Sequence, residues 1–346
     1  MTQQPPLQSP PVGAFRFNND SSNLEYYDGN QWVNVTSTSP EVQTGGSRGL
    51  FAGGRESAPA FSNKIEYVNI DSTGNFADFG DLTEASGNGT NQCGCGSRTR
   101  GMWLGGQGQS NPYLDTIDYV TYSSTGNAAD FGDISTNITA CCNLSSATRA
   151  LRYAGSNPSG THITQIDAVT IAQTGNSFDF GEQSTTVNGP IPCMSPTRGI
   201  IAGGTISPTR TNLIEYITFS TQGNSADFGD LTTAKYGMVG ASNAVRGVFN
   251  GGLDTSNNPT NIIDYITIAT LGNAKDFGDP NTMGSQHMGC ASPTRAIFGS
   301  GLNPASATTS VEYIEIMHTG NAIDFGDCTA RDETRGACSN GHGGLG

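Results

Sequence analysis

Short apolar segments with near-alternating polarity recur along this chain at a fixed interval. They are IEYVNI (from Ile65), IDYVTY (Ile117), IDAVTI (Ile166), IEYITF (Ile214), IDYITI (Ile263) and VEYIEI (Val311). Their β-branched and aromatic residues suit a half-buried strand. Upstream of each, Arg-Gly or Arg-Ala leads three mostly apolar residues and a small pair: RGLFAGG (Arg48), RGMWLGG (Arg100), RALRYAG (Arg149), RGIIAGG (Arg198), RGVFNGG (Arg246) and RAIFGSG (Arg295). Downstream stands the octet Gly-Asn-x-x-Asp-Phe-Gly-Asp/Glu, starting at Gly74, Gly126, Gly175, Gly223, Gly272 and Gly320. Its spacings are 52, 49, 48, 49 and 48 residues, so three motifs coincide six times and define an internal repeat. The Gly-Asn pair tolerates positive φ and predicts a tight reversal into the DFGD strand. Small residues before the arginines, as in CGCGS, CMS, GASN and GCAS, supply a fourth strand. No segment keeps helical apolar periodicity over ten residues.

Four short strands every ~50 residues match one blade of a β-propeller, and small residues suit strands that converge on a narrow channel. The predicted fold is all-β, with a six-bladed propeller over residues 47–346. The segment Gly336–Asn340 aligns with GCAS and GASN but has no blade after it, while only EVQTGGS precedes Arg48. Pairing this C-terminal strand with the first blade closes the ring and removes open sheet edges. An open β-solenoid with a C-terminal cap is the alternative. Ahead of the repeats, residues 1–12 read as a flexible Pro-rich leader, 13–36 as a small β-rich module of two or three strands, and 37–46 as a linker. Some 24 residues bury too little to fold alone, so the module is expected to dock on the propeller, on a copy of itself in a homo-oligomer, or on another protein.

Charge narrows the partners. A net charge of −14 with only 16 Lys and Arg argues against nucleic acid. No run approaches the ~18 apolar residues of a membrane span, and residues 1–12 are too polar for a secretory signal. Glycine, 47 of 346 residues, is about twice its usual share of ~7% and is concentrated in the repeat motifs.

Eighteen of the 30 acidic residues fall in three repeated sets: Glu66, Asp118, Asp167, Glu215, Asp264, Glu312; Asp78, Asp130, Asp179, Asp227, Asp276, Asp324; and Asp81, Asp133, Glu182, Asp230, Asp279, Asp327. Acids in turns suit Ca²⁺. A residue present in every repeat more readily serves the fold, which predicts ion pairs between Asp78, Asp130, Asp179, Asp227, Asp276, Asp324 and Arg48, Arg100, Arg149, Arg198, Arg246, Arg295. Cys95, Cys193 and Cys290 stand five residues before alternate repeat arginines and could meet at the channel axis, but no paired CxxC motif supports a metal site. Free packing thiols are the expected reading. His162, His287, His318 and His342 occupy unrelated repeat positions, and Gly105–Gly108 precedes no helix. No cofactor, metal or catalytic set is predicted. The loops after the arginine strands differ between repeats, whereas SPTR and TGN turns are nearly uniform. Recognition is therefore expected on the variable face, with Arg55, Phe61, Tyr113, Arg210 and Asn257 as candidate binding residues.

The small pair after an apolar strand in a ~50-residue, four-strand unit resembles kelch and galactose-oxidase-type propellers, although the kelch Trp is absent. From Arg48 onward, the combination of IEYITF-type, TGN-x-x-DFGD and TRG-type motifs looks more like propeller proteins of marine tailed bacteriophages. Arg16-Phe17-Asn18, Leu24-Glu25-Tyr26-Tyr27-Asp28-Gly29 and Trp32 resemble a module at the start of phage tail-fibre and other virion appendage proteins. The resemblance implies a non-enzymatic virion structural protein, made in the host cytoplasm and displayed on the particle exterior. Phe15, Phe17, Tyr26, Tyr27 and Trp32 would attach it to other virion proteins, and the propeller would contact a host-surface glycan or protein. A capsid or neck decoration protein and a carbohydrate-active propeller enzyme are the alternatives.

Overall fold

The computed structural model describes residues 10–18, 23–34, 46–57, 60–87, 94–299, 301–303, 306–329 and 335–345; most of the expected leader and linker lies outside them. The described residues are all-β apart from a 3₁₀ turn at Gly343–Leu345. The chain divides into two compact units, residues 1–43 and 44–346.

The first unit carries one antiparallel sheet of Phe15–Asn18, Asn23–Tyr27 and Trp32–Asn34. Asp28 closes its second turn by accepting the Asn30 and Gln31 amides at 2.8 Å.

The second unit holds six antiparallel sheets built on a four-strand plan. Sheet 1 pairs Gly336–Ser339, Arg48–Ala52, Lys64–Asn69 and Ala77–Asp81, in that order. Sheet 2 comprises Cys95–Gly96, Arg100–Gly108, Leu114–Thr121 and Ala129–Ile138, with Ser86–Gly87 added to its second strand. Sheet 3 runs Cys142–Ser145, Arg149–Tyr153, Gln165–Thr170, Phe178–Glu182, and sheet 4 Ile191–Met194, Arg198–Ala202, Leu213–Thr218, Ala226–Asp230. Sheet 5 is Val239–Ser242, Arg246–Asn250, Ile263–Thr267, Lys275–Gly278, and sheet 6 Met288–Ala291, Arg295–Gly299, Ser310–Glu315, Ile323–Asp327. The strand expected at the end of the repeats thus pairs with Arg48–Ala52, although nearly 300 residues separate them in the chain.

Every sheet repeats one irregularity. Between its third and fourth strands the register slips: Ile65 faces Gly80 while Glu66 faces Asp78, which leaves Phe79 as the extra residue. The same slip recurs beside Asp118, Asp167, Glu215, Asp264 and Glu312. A bulge of this kind re-aims side chains. Here it accompanies burial of both Phe79 and the third-strand carboxylate.

The first strands of the six sheets lie side by side in cyclic order, sheet 6 next to sheet 1. Small residues permit this approach: a Cβ on Gly94 or Gly240 would stand 2.2–2.3 Å from a neighbouring carbonyl oxygen. The space they leave is a cavity of about 30 Å³, bordered by His342. The segment Gly341–Leu345 fills the region beside it, where a Cβ on Gly343 or Gly344 would collide with Met194 O or Ser145 O at about 2 Å.

At the fourth strands the contact is a backbone one. The Gly-Asn turn of each sheet docks on the DFG segment of the sheet before it. Gly126 N and Ala128 N donate to Phe79 O and Asp81 O at 2.8 and 2.7 Å, and Asn127 Oδ1 accepts the Asp81 amide at 3.1 Å. The pattern continues through sheet 6, whose Phe325 and Asp327 receive Gly74 and Phe76 of sheet 1. The DFG glycine is required for it. Gly181 has φ +154°, and a Cβ there would meet Gly223 O at 2.3 Å. Gly175 has φ +151° with open space around it. Gly175→Ala should therefore cost ~1–3 kcal/mol of backbone strain, and Gly181→Ala visibly more, read as a larger drop in the urea midpoint.

Candidate functional site

The arginines predicted to pair with the DFG aspartates do something else. Arg246 Nη1 donates to Ile316 O of the next sheet at 2.9 Å, while its guanidinium lies 4.4 Å from the Tyr265 ring centre. Arg48, Arg100, Arg149, Arg198 and Arg295 likewise reach Tyr122 O, Ile171 O, Phe219 O, Ile268 O and Ile70 O. Five of the six stack on a tyrosine of their own sheet (Tyr67, Tyr119, Tyr216, Tyr265, Tyr313), which in turn meets the DFG phenylalanine nearly edge-on. In sheet 3 Ala168 stands in place of the tyrosine, and Arg149 lies over Phe180 instead. Asp78, Asp130, Asp179, Asp227, Asp276 and Asp324 are exposed, and among the described residues none pairs with these arginines. Water solvates an exposed carboxylate well, whereas a desolvated ring and a free carbonyl give a guanidinium two partners at once.

The acids with a structural role are those of the third strands. All six are buried, and each bonds to residues that follow the DFGD or DFGE segment of the preceding sheet. Asp118 accepts the Thr83 amide and hydroxyl, Asp167 those of Ser135, and Glu312 the Asn281 and Thr282 amides. Glu215, Asp264 and Glu66 receive the hydroxyls of Ser184, Thr232 and Thr329. A buried cation neutralises every second one: Arg335–Glu66 and Arg152–Asp167 at 2.5 Å, Lys235–Asp264 at 2.8 Å. The intervening three have neutral partners, with Tyr153 and Asn250 completing Glu215 and Glu312. Burial accordingly pushes the Asp118 and Glu312 carboxyls above their ordinary range. A raised carboxyl pKa is also what a general acid needs, but these groups are held by loop hydroxyls and amides in a close-packed boundary.

Cys193, Cys290 and Cys338 are buried, each against a neighbouring sheet. Cys193 Sγ donates to Ala241 O and Val248 O, Cys290 Sγ lies against Gly49, and Cys338 Sγ against Gly101. The axial thiolate set considered from spacing is therefore not formed. Burial raises the Cys95, Cys193 and Cys290 thiols, and brings Cys338 to about 12. Among the described residues no group of three His, Cys, Asp or Glu side chains could hold a metal ion.

The predicted binding residues fall into two pairs and a singleton. Arg55 stacks on Phe61 at 5.1 Å within the hairpin of Arg55–Ser57 and Ala60–Phe61, and the Phe61 amide donates to Gln109 Oε1 of sheet 2. Arg210 bridges sheets 4 and 5, donating to Asn257 Oδ1 at 2.5 Å with its guanidinium 5.8 Å from the Tyr236 ring. Asn257 holds φ +65° in a turn organised by Asp254, whose carboxyl is lowered by the Asn258 amide. Tyr113 is half-buried, apart from both pairs, with its carbonyl accepting Asn137 Nδ2. Short bridges fasten these loops to the connections before their sheets, as in Asn188↔Thr205, Tyr236↔Leu253 and Ser285↔Leu302. Sequence could not show that fastening, because the bridging residues have no common identity.

In the N-terminal sheet the five expected attachment residues split between faces. Phe15 and Phe17, opposite Tyr26 and Leu24, are 67% and 61% exposed. Tyr27 and Trp32 pack together on the other face at 5.5 Å, where Arg16 lies 4.2 Å from the Trp32 ring and pairs with Glu25 at 2.7 Å. Phe15, Phe17 and Tyr26 are the outward set.

No protein-family model matches the chain, and no curated protein is significantly similar to it. No helix of the described residues is long and apolar enough to cross a membrane.

Two outcomes follow from the buried charges. Lys235→Met should destabilise the protein by about 3–5 kcal/mol by stranding Asp264, with Lys235→Met/Asp264→Asn recovering most of the loss in urea unfolding. His287 and His342 are buried and held near pKa 4, against 6.5 when unfolded. The folded state then binds fewer protons, so their contribution is intact above about pH 6.5 and is lost as pH falls towards 4. His342→Gln should reduce the drop in urea midpoint measured across that window.

Proposed function

We propose that the six sheets are the blades of one closed, kelch-like β-propeller, and that the protein is an exterior structural subunit of a tailed-phage virion. In this reading the N-terminal sheet attaches to other virion proteins through Phe15, Phe17 and Tyr26, and the propeller's variable loops recognise the host surface. The cyclic order of the first strands and the unbroken series of Gly-Asn dockings support closure. The single observation that carries recognition is the contrast between the loops and their support. The interactions joining sheets repeat sixfold, whereas the loops after the second strands differ in sequence yet are fastened to their neighbours. A framework that conserves its joints and varies its loops is organised for binding. Arginine–aromatic pairs such as Arg55–Phe61 and Arg210–Tyr236 suit the hydroxyls and ring faces of a glycan.

The propeller reading favours binding over chemistry, because the buried carboxylates are committed to sheet boundaries. Host cells incubated with the full chain and with residues 44–346 test it. Both should bind, and Phe61→Ala or Arg210→Ala should weaken binding by about tenfold. If neither chain binds, recognition is wrong and a decoration subunit packed on other virion proteins becomes the better reading.

A further inference from the structure

Departures from a repeat are where one sheet does what the others do not. The residue before Gly-Asn is Thr73, Thr125, Thr174, Gln222 and Thr319 in five sheets, but Leu271 in sheet 5. The residue three places after that glycine is Ala77, Ala129, Phe178, Ala226 and Ile323 in five, but Lys275 in sheet 5. Both departures line one open pocket of about 350 Å³, whose wall also includes Arg246, Tyr265, Thr267 and Thr270. That volume lies at the small end of ligand sites, which run from about 300 to 1,000 Å³.

The register explains the convergence. Lys275 is the cross-strand partner of Tyr265, and Arg246 that of Thr267, so the two cations flank the tyrosine that Arg246 stacks on. Asp276 lies opposite Asp264 instead, and the alternation of the strand turns it to the other face. Arg246 spends Nη1 on Ile316 O, while Nε and Nη2 have no partner among the described residues. The exposed Lys275 side chain likewise makes no ion pair or hydrogen bond among them. Among the described residues Arg246 and Lys275 are the charged lining of the pocket, in a chain of net charge −14. Two like charges facing one space favour an anion between them, and a guanidinium edge matches a carboxylate. The threonine hydroxyls and the apolar faces of Tyr265 and Leu271 would be idle against a bare anion.

We propose that this pocket binds a carboxylated monosaccharide unit, a uronic acid, with its carboxylate held between Arg246 and Lys275. The site belongs to sheet 5 alone and is built without the variable loops, so it stands whether or not those loops bind. Titration of the ¹⁵N-labelled full chain with galacturonate, with methyl galactoside and with sulfate tests it. Galacturonate should give saturable shifts confined to amides of residues 265–275 and those around Arg246, and the neutral sugar and sulfate should bind at least about tenfold more weakly. Lys275→Ala places in sheet 5 the residue that sheets 1, 2 and 4 carry, so it should fold, yet lose about tenfold in galacturonate affinity. Lys275→Arg should retain binding, and Ile323→Ala, at the equivalent exposed position of sheet 6, should leave it unchanged. Absence of saturation, equal binding of sulfate, or an unaltered Lys275→Ala overturns the proposal.

Discussion

The sheets of the second unit depend on one recurring contact, the docking of a Gly-Asn turn on the fourth strand of the preceding sheet. A fourth strand is otherwise an open edge with unpaired amides and carbonyls, a template for aggregation. Here two backbone bonds and one asparagine side chain cover that edge from outside. The cover needs a backbone without Cβ at the glycine of DFG, and it needs the strand to be bulged. The bulge in turn accompanies burial of the DFG phenylalanine and the third-strand carboxylate. Thus the octet, the tyrosine–phenylalanine pair and the buried acid are parts of one joint.

The buried carboxylates show how a repeat accommodates different partners. Each accepts bonds from residues just after the DFGD or DFGE segment of the sheet before it, and that shared duty explains why an acid stands at this position in all six. What neutralises the charge is left to local sequence. Arg335, Lys235 and Arg152 come from different places in their repeats: before a first strand, in a connection and within a second strand. The acids with cations belong to sheets 1, 3 and 5, those with neutral partners to sheets 2, 4 and 6. The inner serines follow the same beat, since Ser145, Ser242 and Ser339 each donate to the first strand of the preceding sheet.

Much of this was legible in sequence because strand, turn and small-residue strand each have a periodic signature. IEYVNI-type segments, Gly-Asn reversals and the final Gly336–Asn340 segment all took the structural places their patterns indicate. The partners of the arginines were not legible. A charge pattern names possible ion pairs but does not say which carboxylate is desolvated, and here the bulge buries Glu66 while leaving Asp78 in water. The candidate loop residues were visible as variation, but whether Arg210 meets Asn257 depends on how two sheets neighbour each other. The Gly341–Leu345 segment carried no signal beyond its glycines, which matter only because Ser145 and Met194 carbonyls stand so close.

Sheet 1 is assembled from two distant parts of the chain, and this sets an order in time. During synthesis the Arg48–Ala52 strand emerges early, with Lys64–Asn69 and Ala77–Asp81 soon after, but its other neighbour, Gly336–Ser339, emerges hundreds of residues later. Sheets 2 to 6 each complete themselves from contiguous chain, so they can fold as they leave the ribosome. Sheet 1 must wait with one edge bare, and Glu66 waits with it for Arg335. The arrival of that last strand closes the longest loop in the unit, the kind of contact whose entropic cost is met late.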